Sequence, residues 1–209
     1  KTEETGVTSN ITRWVLAPAA PECRNWPNEV TVSVNISARD FRDSDVTQMV
    51  ADALQSSGLE PHRLEIEVTE TALIEERQAA TTILTGLAAQ GIGIALDDFG
   101  TGYSSLSYLH ALPFSKLKID RSFVIDIGTN PRSLKLLSNV AQLGKDINLT
   151  VTAEGVETEE QLALIQSSTK VDQIQGYLFG VPLPARDISE LVDRMARTSV
   201  LRLANRKAG

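Results

Sequence analysis

Regular alternation of short apolar runs with longer segments of helical periodicity most constrains how this chain folds. Six runs have the length and composition of strands, covering residues 30–37, 63–70, 91–98, 115–120, 149–155 and 171–176. The first dozen residues contain a predicted helix start, and further helices are predicted over residues 43–59, 75–91, 130–148, 158–168 and 185–196. Alternation of this kind predicts a parallel α/β sheet covered by helices, either a closed barrel or a doubly wound open sheet.

Polar side chains at the strand ends favour the barrel. One stands at or near the C-terminal end of each predicted strand: Asn35, Glu67, Asp97, Lys118, Glu154 and Gln175. An open sheet builds its ligand crevice from a few strands, whereas a closed barrel brings all its strand ends to one mouth. A complete (β/α)8 barrel takes about 250 residues and eight strands. We therefore expect a TIM-type barrel in which one or two N-terminal strands are missing from this chain.

Composition limits the function classes. The 209 residues are 42% hydrophobic, which is enough for one domain with a sizeable core. The net charge is −7 and there is no long basic run, so a nucleic acid polymer is not expected as a partner. A single cysteine, Cys23, excludes an internal disulfide framework and fits a reducing compartment. No apolar run is long enough for a membrane span, so we expect a soluble domain.

Oxygen ligands dominate the predicted mouth. Carboxylates come from Glu67, Asp97, Asp98 and Glu154, and Asn35 adds an amide oxygen. These are ligands for Mg²⁺, Mn²⁺ or Ca²⁺, whereas a chain with only two histidines does not suggest a His-rich zinc centre. Adjacent aspartates suit two metals that share a bridging carboxylate and a water, and phosphodiester hydrolysis is the natural reaction class for such a site. The alternative is a capped turn in which Asp98 binds loop amides.

Lys118 admits three interpretations. It could orient the attacking water or stabilise charge in the transition state, it could be a barrel-lining lysine paired with Glu154 or Asp97, or it could form a Schiff base. The number of carboxylates argues against the Schiff base, because a nucleophilic lysine does not need four acidic neighbours. Glu65 alternates with Glu67 on one strand face and could form a simple exposed pair with it, so Glu65 is not assigned as a ligand.

Six motifs in order resemble those of the EAL-domain phosphodiesterases, which hydrolyse cyclic di-GMP. They are VNIS, EIEVTE, DDFGTGYSSL, KLKIDRSF, TAEGVET and QGYLFGVPLP. The likeness runs from EETG near the start of the chain to Pro184. It implies a modified TIM barrel, the linear product pGpG, and a single EAL-type domain over residues 1–209, with a C-terminal helix and tail over about 185–209.

The resemblance also implies roles for individual residues. Metal ligands match Asn35, Glu67, Asp97 and Glu154, and Asp98 matches the second aspartate of a two-metal centre. Lys118 matches a water-orienting lysine, and Gln175 matches a polar residue near the metal-bound water. Glu157 matches a residue that supports the site. Glu70 matches the glutamate that anchors the loop after the paired aspartates. Gly100 and Gly102 in that loop give its backbone conformational freedom. The implied cofactor is Mg²⁺ or Mn²⁺, with Ca²⁺ inhibitory.

One departure from the family pattern concerns activity. The Glu-Ala-Leu motif is not in this sequence, and with it go a metal-ligating glutamate and an arginine that contacts substrate phosphate, which implies impaired turnover. Two alternatives to an enzyme therefore stay open: a non-catalytic cyclic di-GMP receptor and a dimerising regulatory module. The resemblance further implies a homodimer through the region near the Asp98–Leu106 loop, accompanying diguanylate cyclase or sensor domains, and a cytoplasmic location, with the parent protein in some cases membrane-anchored.

Overall fold

The strands lie where the sequence predicts them. The structure, a computed structural model, describes residues 7–43, 45–101, 106–192 and 194. The strands in this part of the chain are β1 (Val32–Ile36), β2 (Leu64–Thr69), β3 (Gly93–Phe99), β4 (Lys116–Ile119), β5 (Thr150–Ala153) and β6 (Gln173–Ile174). Five of them fall inside a predicted run, and β3 extends one residue beyond the run predicted over residues 91–98, so all six strand predictions are confirmed.

Helices connect successive strands. They are α1 (Val7–Arg24), α2 (Ala38–Asp43), α3 (Val46–Ser57), α4 (Glu70–Glu75), α5 (Arg77–Ala89), α6 (Leu106–Ala111), α7 (Pro131–Asp146) and α8 (Glu159–Ser168). Residues 185–192 and 194 are also helical, and 3₁₀ turns occupy Pro61–Arg63 and Arg121–Phe123. The short helices α2, α4 and α6 are additions to the predicted set. No helix in the described residues has both the length and the hydropathy to cross a membrane.

The sheet is parallel throughout and its strand order follows the chain. Neighbouring strands pair in the order β1-β2-β3-β4-β5-β6. All the C-terminal strand ends therefore meet at one edge of the sheet, as the sequence predicts. Within the described residues, β1 and β6 each pair on one side only.

The two faces of the sheet differ in character. On β2 the residues Leu64, Ile66 and Val68 are fully buried in the larger hydrophobic core, which also includes residues of α1, α3 and α5. A second core lies where β4 and β5 meet α7 and α8. The alternate residues of β2, Glu65 and Glu67, point to the opposite face, which we call the polar face.

A buried arginine ties the start of β2 to the segment that leads into β1. Arg63 is only 2% exposed, and its Nη2 donates to the carbonyl oxygen of Cys23 at 2.7 Å and to that of Pro27 at 3.0 Å. Its Nε donates to the carbonyl oxygen of Val30, also at 3.0 Å. Because buried carbonyls need donors, this guanidinium sets the path of the chain between α1 and β1.

Replacing this arginine is expected to destabilise the fold. Arg63→Ala leaves several buried carbonyls without their charged donor, so the free energy of unfolding should fall by about 3 kcal/mol. Urea unfolding followed by circular dichroism measures the difference. Arg132→Ala, at an exposed position in α7, is the matched control and should change stability by less than about 0.5 kcal/mol. Equal stability of the two variants would contradict this role for Arg63.

Candidate metal centre

Lys118 lies at the centre of a group of carboxylates near the C-terminal edge of the sheet. Its Nζ lies 2.9 Å from Glu67 Oε2, 2.9 Å from Asp97 Oδ1 and 2.7 Å from Glu154 Oε1. The four side chains come from β2, β3, β4 and the end of β5, so the parallel register brings them together. Burial alone would lower the pKa of Lys118, but the short contacts of its ammonium with the three carboxylates raise it above its ordinary value. The lysine is therefore a fixed cation.

A β-bulge explains how two consecutive aspartates serve one site. The register between β3 and β4 shifts between Leu96, opposite Leu117, and Phe99, opposite Ile119. Two residues of β3 thus stand opposite Lys118 alone. In a regular strand Asp97 and Asp98 would point to opposite faces, but Asp98 adopts a left-handed backbone with φ 54°. The bulge re-aims its side chain towards that of Asp97.

The aspartates and Glu154 form an oxygen cluster suited to a divalent cation. One carboxylate oxygen each from Asp97, Asp98 and Glu154 lies within 4.8 Å of the others. Asp97 Oδ1 is buried and meets Lys118 as an ion pair, yet no donor is aligned with it for a hydrogen bond. A buried carboxylate oxygen without an aligned donor is poorly satisfied. Hard oxygen donors at this spacing fit Mg²⁺ or Mn²⁺.

Burial and neighbouring charges raise the pKa values of two carboxyl groups in the cluster. Desolvation by burial and the nearby charges of Asp97 and Asp120 raise the pKa of Asp98. Desolvation is also the largest cause of the raised pKa of Glu154: together with smaller upward effects of Asp97 and Glu67, it outweighs the ion pair with Lys118. Burial is therefore the main cause of both raised pKa values, and the neighbouring carboxylates add to it. Additional positive charge would stabilise the ionised cluster.

Asp120 is a member of this neighbourhood that the sequence analysis missed. It stands two residues after Lys118, and its charge acts on Asp98. It also caps the following turn, since Asp120 Oδ1 accepts a hydrogen bond from the backbone N–H of Ser122. The sequence could have identified Asp120 from the period of two in the predicted strand, which assigns residues 116, 118 and 120 to one face.

Asn35 and Gln175 lie beside the cluster on the outermost strands. Asn35 of β1 pairs in register with Glu67, and its side chain is exposed. Gln175 follows β6 and is also exposed; its backbone N–H donates to the carbonyl oxygen of Ala153, and its carbonyl accepts from the backbone N–H of Val156. These bonds hold Gln175 alongside the segment that carries Glu154. Within the described residues, Asn35 and Gln175 thus flank the predicted site at the two edges of the sheet.

The predicted supporting residues occupy different settings. Glu70 is buried as the first residue of α4, whereas Glu157 is exposed and only its backbone N–H bonds to Gln161 Oε1. Gly100 has φ 96°, and a Cβ there would lie 2.4 Å from the ring of Phe123. Glycine is therefore required at position 100. Gly102 and the rest of 102–105 lie outside the described residues, so the anchoring of this loop by Glu70 stays a prediction.

The interpretation of Glu65 as an exposed residue is wrong. Glu65 is 7% exposed and forms an ion pair with Lys116 at 2.8 Å. Its Oε1 also accepts a hydrogen bond from Ser33 Oγ at 2.9 Å. The alternation along β2 correctly places Glu65 on the same face as Glu67. It could not predict the ion pair with Lys116, because Lys116 lies two strands away on β4.

Comparison with known proteins gives this arrangement a family context. Residues 2–182 match the family described as EAL domain. The chain is 40% identical over 190 residues to the bifunctional diguanylate cyclase/cyclic di-GMP phosphodiesterase MucR of Pseudomonas aeruginosa, an alignment that covers 89% of this chain and 28% of MucR. The chain spans about a quarter of the length of the curated relatives that it matches.

Solved structures agree with the fold. The structure named PaMucR phosphodiesterase, a cyclic di-GMP complex, superposes with a TM-score of 0.83 at 39% identity, covering 90% of this chain and 77% of the other. BlrP1 of Klebsiella pneumoniae, in a manganese and cyclic di-GMP complex, superposes with a TM-score of 0.77 at 30% identity, covering 85% of this chain and 46% of that one. The fold is thus the TIM-barrel-like α/β fold of these domains, and the chain belongs to the EAL domain family.

Proposed function

We propose that this domain hydrolyses cyclic di-GMP to linear pGpG with the help of Mg²⁺ or Mn²⁺. The observation that carries the proposal is the convergence of Glu67, Asp97 and Glu154 on the ammonium of Lys118 at the C-terminal edge of the sheet. Asp98 lies beside Asp97 and Glu154 in the same oxygen cluster. Relatives in the same family are named as cyclic di-GMP phosphodiesterases, and one is solved with this nucleotide.

The metal would be held by the oxygen donors at the strand ends. Asp97, Asp98 and Glu154 offer the clustered oxygens, Glu67 adds a carboxylate, and Asn35 adds an amide oxygen from the neighbouring strand. When bound, a divalent cation supplies positive charge that polarises the scissile phosphate and an attacking water. The poorly satisfied Asp97 Oδ1 and the raised pKa values of Asp98 and Glu154 support a site that gains from such charge.

Lys118 acts in this proposal as a donor of hydrogen bonds and charge. Because its pKa is raised, it stays protonated and cannot serve as the base. Its ammonium instead orients the attacking water and stabilises negative charge that develops on the phosphate. Holding three carboxylates at once also fixes their relative positions before substrate binds.

Glu154 is the proposed proton acceptor. Its raised pKa makes it a stronger base than an ordinary carboxylate. The water oxygen bonds to phosphorus, Glu154 takes the water proton, and the bond from phosphorus to a 3′ oxygen breaks. The departing 3′ oxygen takes up a proton, which leaves pGpG with a free 3′ hydroxyl and a 5′ phosphate. Gln175 lies close to Glu154 and is proposed to hydrogen-bond the water.

Binding without cleavage is the second candidate function. It is favoured by the exposure of Asn35 and Gln175 on strands that pair on one side only in the described part of the chain. The absent Glu-Ala-Leu motif would supply one more metal ligand in the family pattern. We propose that full turnover requires a segment with this motif, and that a chain without it binds the nucleotide more readily than it cleaves it.

The remaining functional expectations are proposals as well. We propose a homodimer through the region near the Asp98–Leu106 loop, in which residues 102–105 lie outside the described residues. Diguanylate cyclase or sensor domains are proposed to accompany this domain in its parent protein, as the name of MucR indicates for that relative. We also propose a cytoplasmic location.

Metal binding tests the centre directly. Asp97→Asn removes the charge of a buried ligand, so affinity for Mn²⁺ should fall by about tenfold or more. Isothermal titration calorimetry of the metal alone against the chain measures this change. Asp52→Asn, at an exposed site on α3, should leave the affinity within about twofold. Unchanged affinity in Asp97→Asn would place the metal elsewhere.

Turnover tests the reaction. Cyclic di-GMP is incubated with Mn²⁺, and the linear product is separated, for the present chain and for a version extended upstream with a Glu-Ala-Leu segment. We expect faster cleavage by the extended version and loss of cleavage on chelation. Binding without cleavage in both versions would favour the receptor function, and neither binding nor cleavage would contradict both candidates.

Replacement of Mn²⁺ by Ca²⁺ should abolish turnover by the active version. Ca²⁺ prefers longer and looser coordination, which would displace the phosphate and water from Lys118 and Glu154. A BlrP1 structure described as a calcium and cyclic di-GMP complex indicates that Ca²⁺ is compatible with bound nucleotide in that relative. We therefore expect Ca²⁺ to compete with Mn²⁺ in the cleavage assay. Stimulation by Ca²⁺ would contradict this part of the proposal.

A further inference from the structure

A second glutamate–lysine pair lies one step further from the strand ends on the polar face. Glu65 stands two residues before Glu67 on β2, and Lys116 stands two residues before Lys118 on β4. Lys116 Nζ lies 2.8 Å from Glu65, whose side chain is 9% exposed, and the lysine side chain itself is 16% exposed. Ser33 Oγ on β1 donates to the same carboxylate. We call Glu65 and Lys116 the lower pair, and Glu67 and Lys118 the upper pair.

Both pairs cross the intervening strand β3. In register, Gly93 of β3 stands beside Glu65, and Ala95 stands beside both Glu67 and Lys116. These small side chains leave the long side chains of β2 and β4 room to meet above β3. The two bridges therefore form a ladder in which equivalent charges repeat every two residues.

The repeat creates a competing arrangement. Two residues along a strand are about 6.6 Å apart, a distance that a lysine side chain can span. Without Glu65, the poorly solvated ammonium of Lys116 would lack a carboxylate, and burial of an unpaired charge is costly. Glu67 is the nearest carboxylate on the same strand as Glu65. Lys116 would then compete for a proposed metal ligand.

We propose that Glu65 is a positioning residue for the metal centre: it holds Lys116 at the lower level and so keeps Glu67 available to Lys118 and the cation. This inference rests on the proposed metal-dependent function. In the part of the chain that the structure describes, Lys118 is the cation that contacts Glu67. This arrangement holds because each lysine has its own glutamate: Lys116 pairs with Glu65, and Lys118 pairs with Glu67.

The lower pair could act by restraining Lys116 or only by stabilising the fold. These two explanations predict different results when Lys116 is removed together with Glu65. If Glu65 restrains Lys116, then Glu65→Gln weakens the centre, and removing the lysine as well restores it. If the pair only stabilises the fold, the double variant Glu65→Gln with Lys116→Met remains impaired. The side chain of Met resembles that of Lys in length but carries no charge, so it cannot compete for Glu67.

The test is the affinity of the chain for Mn²⁺ alone, measured by isothermal titration calorimetry, with thermal unfolding of every variant followed in parallel. We expect Glu65→Gln to weaken Mn²⁺ binding by about tenfold, in the range for residues that support metal ligands. The double variant should return to within about threefold of the unsubstituted chain. Glu29→Gln, at an exposed position, is the control and should bind normally.

Two results would overturn the inference: unchanged affinity in Glu65→Gln, or a double variant that binds as weakly as Glu65→Gln. If Glu65→Gln does not fold, the double variant decides alone, because affinity within about threefold supports the proposal and a loss of about tenfold overturns it. Asp97→Asn separates this question from the proposed function. Normal Mn²⁺ binding by Asp97→Asn contradicts the metal centre itself, whatever the variants of Glu65 show.

Discussion

The ion pairs of one buried lysine with three carboxylates are the interaction on which the site depends. Glu67, Asp97 and Glu154 come from three different strands, and each would repel the others if Lys118 did not lie between them. Their meeting requires β2, β3, β4 and β5 to be neighbours with parallel direction and fixed register. The apolar face and its helices supply that register through hydrophobic burial. The fold is thus the means by which separate acids share one cation.

The bulge in β3 adds an acid that a regular strand would direct away. Its left-handed residue is an aspartate, one of the few residue types that tolerate this backbone conformation. The left-handed backbone of Asp98 carries some strain, and this conformation places the Asp98 carboxylate next to that of Asp97. Such strain tends to persist at functional sites where surrounding structure fixes it. Gly100, held against Phe123, continues this irregular backbone.

Much of this arrangement could be predicted from sequence because parallel sheets follow simple rules. Strand positions followed from apolar runs, and the common edge followed from alternation with helices. Period-two reasoning could not place Asp98, since it assigns consecutive residues to opposite faces and a bulge breaks that rule. It also could not recognise the burial of Glu65, because this depends on Lys116 two strands away. Asp120 was within reach of the same reasoning, two residues beyond Lys118.

The same lysine and a metal can occupy this centre together because carboxylates have two oxygens. Lys118 engages Oε2 of Glu67, Oδ1 of Asp97 and Oε1 of Glu154. Each carboxylate therefore has a second oxygen through which it can also face a cation. Sharing in this way lets the ammonium fix the carboxylates without neutralising the whole cluster. Burial first, and neighbouring carboxylates second, raise the pKa values of Asp98 and Glu154. A single lysine thus brings the three acids together and leaves oxygens free to face the proposed metal.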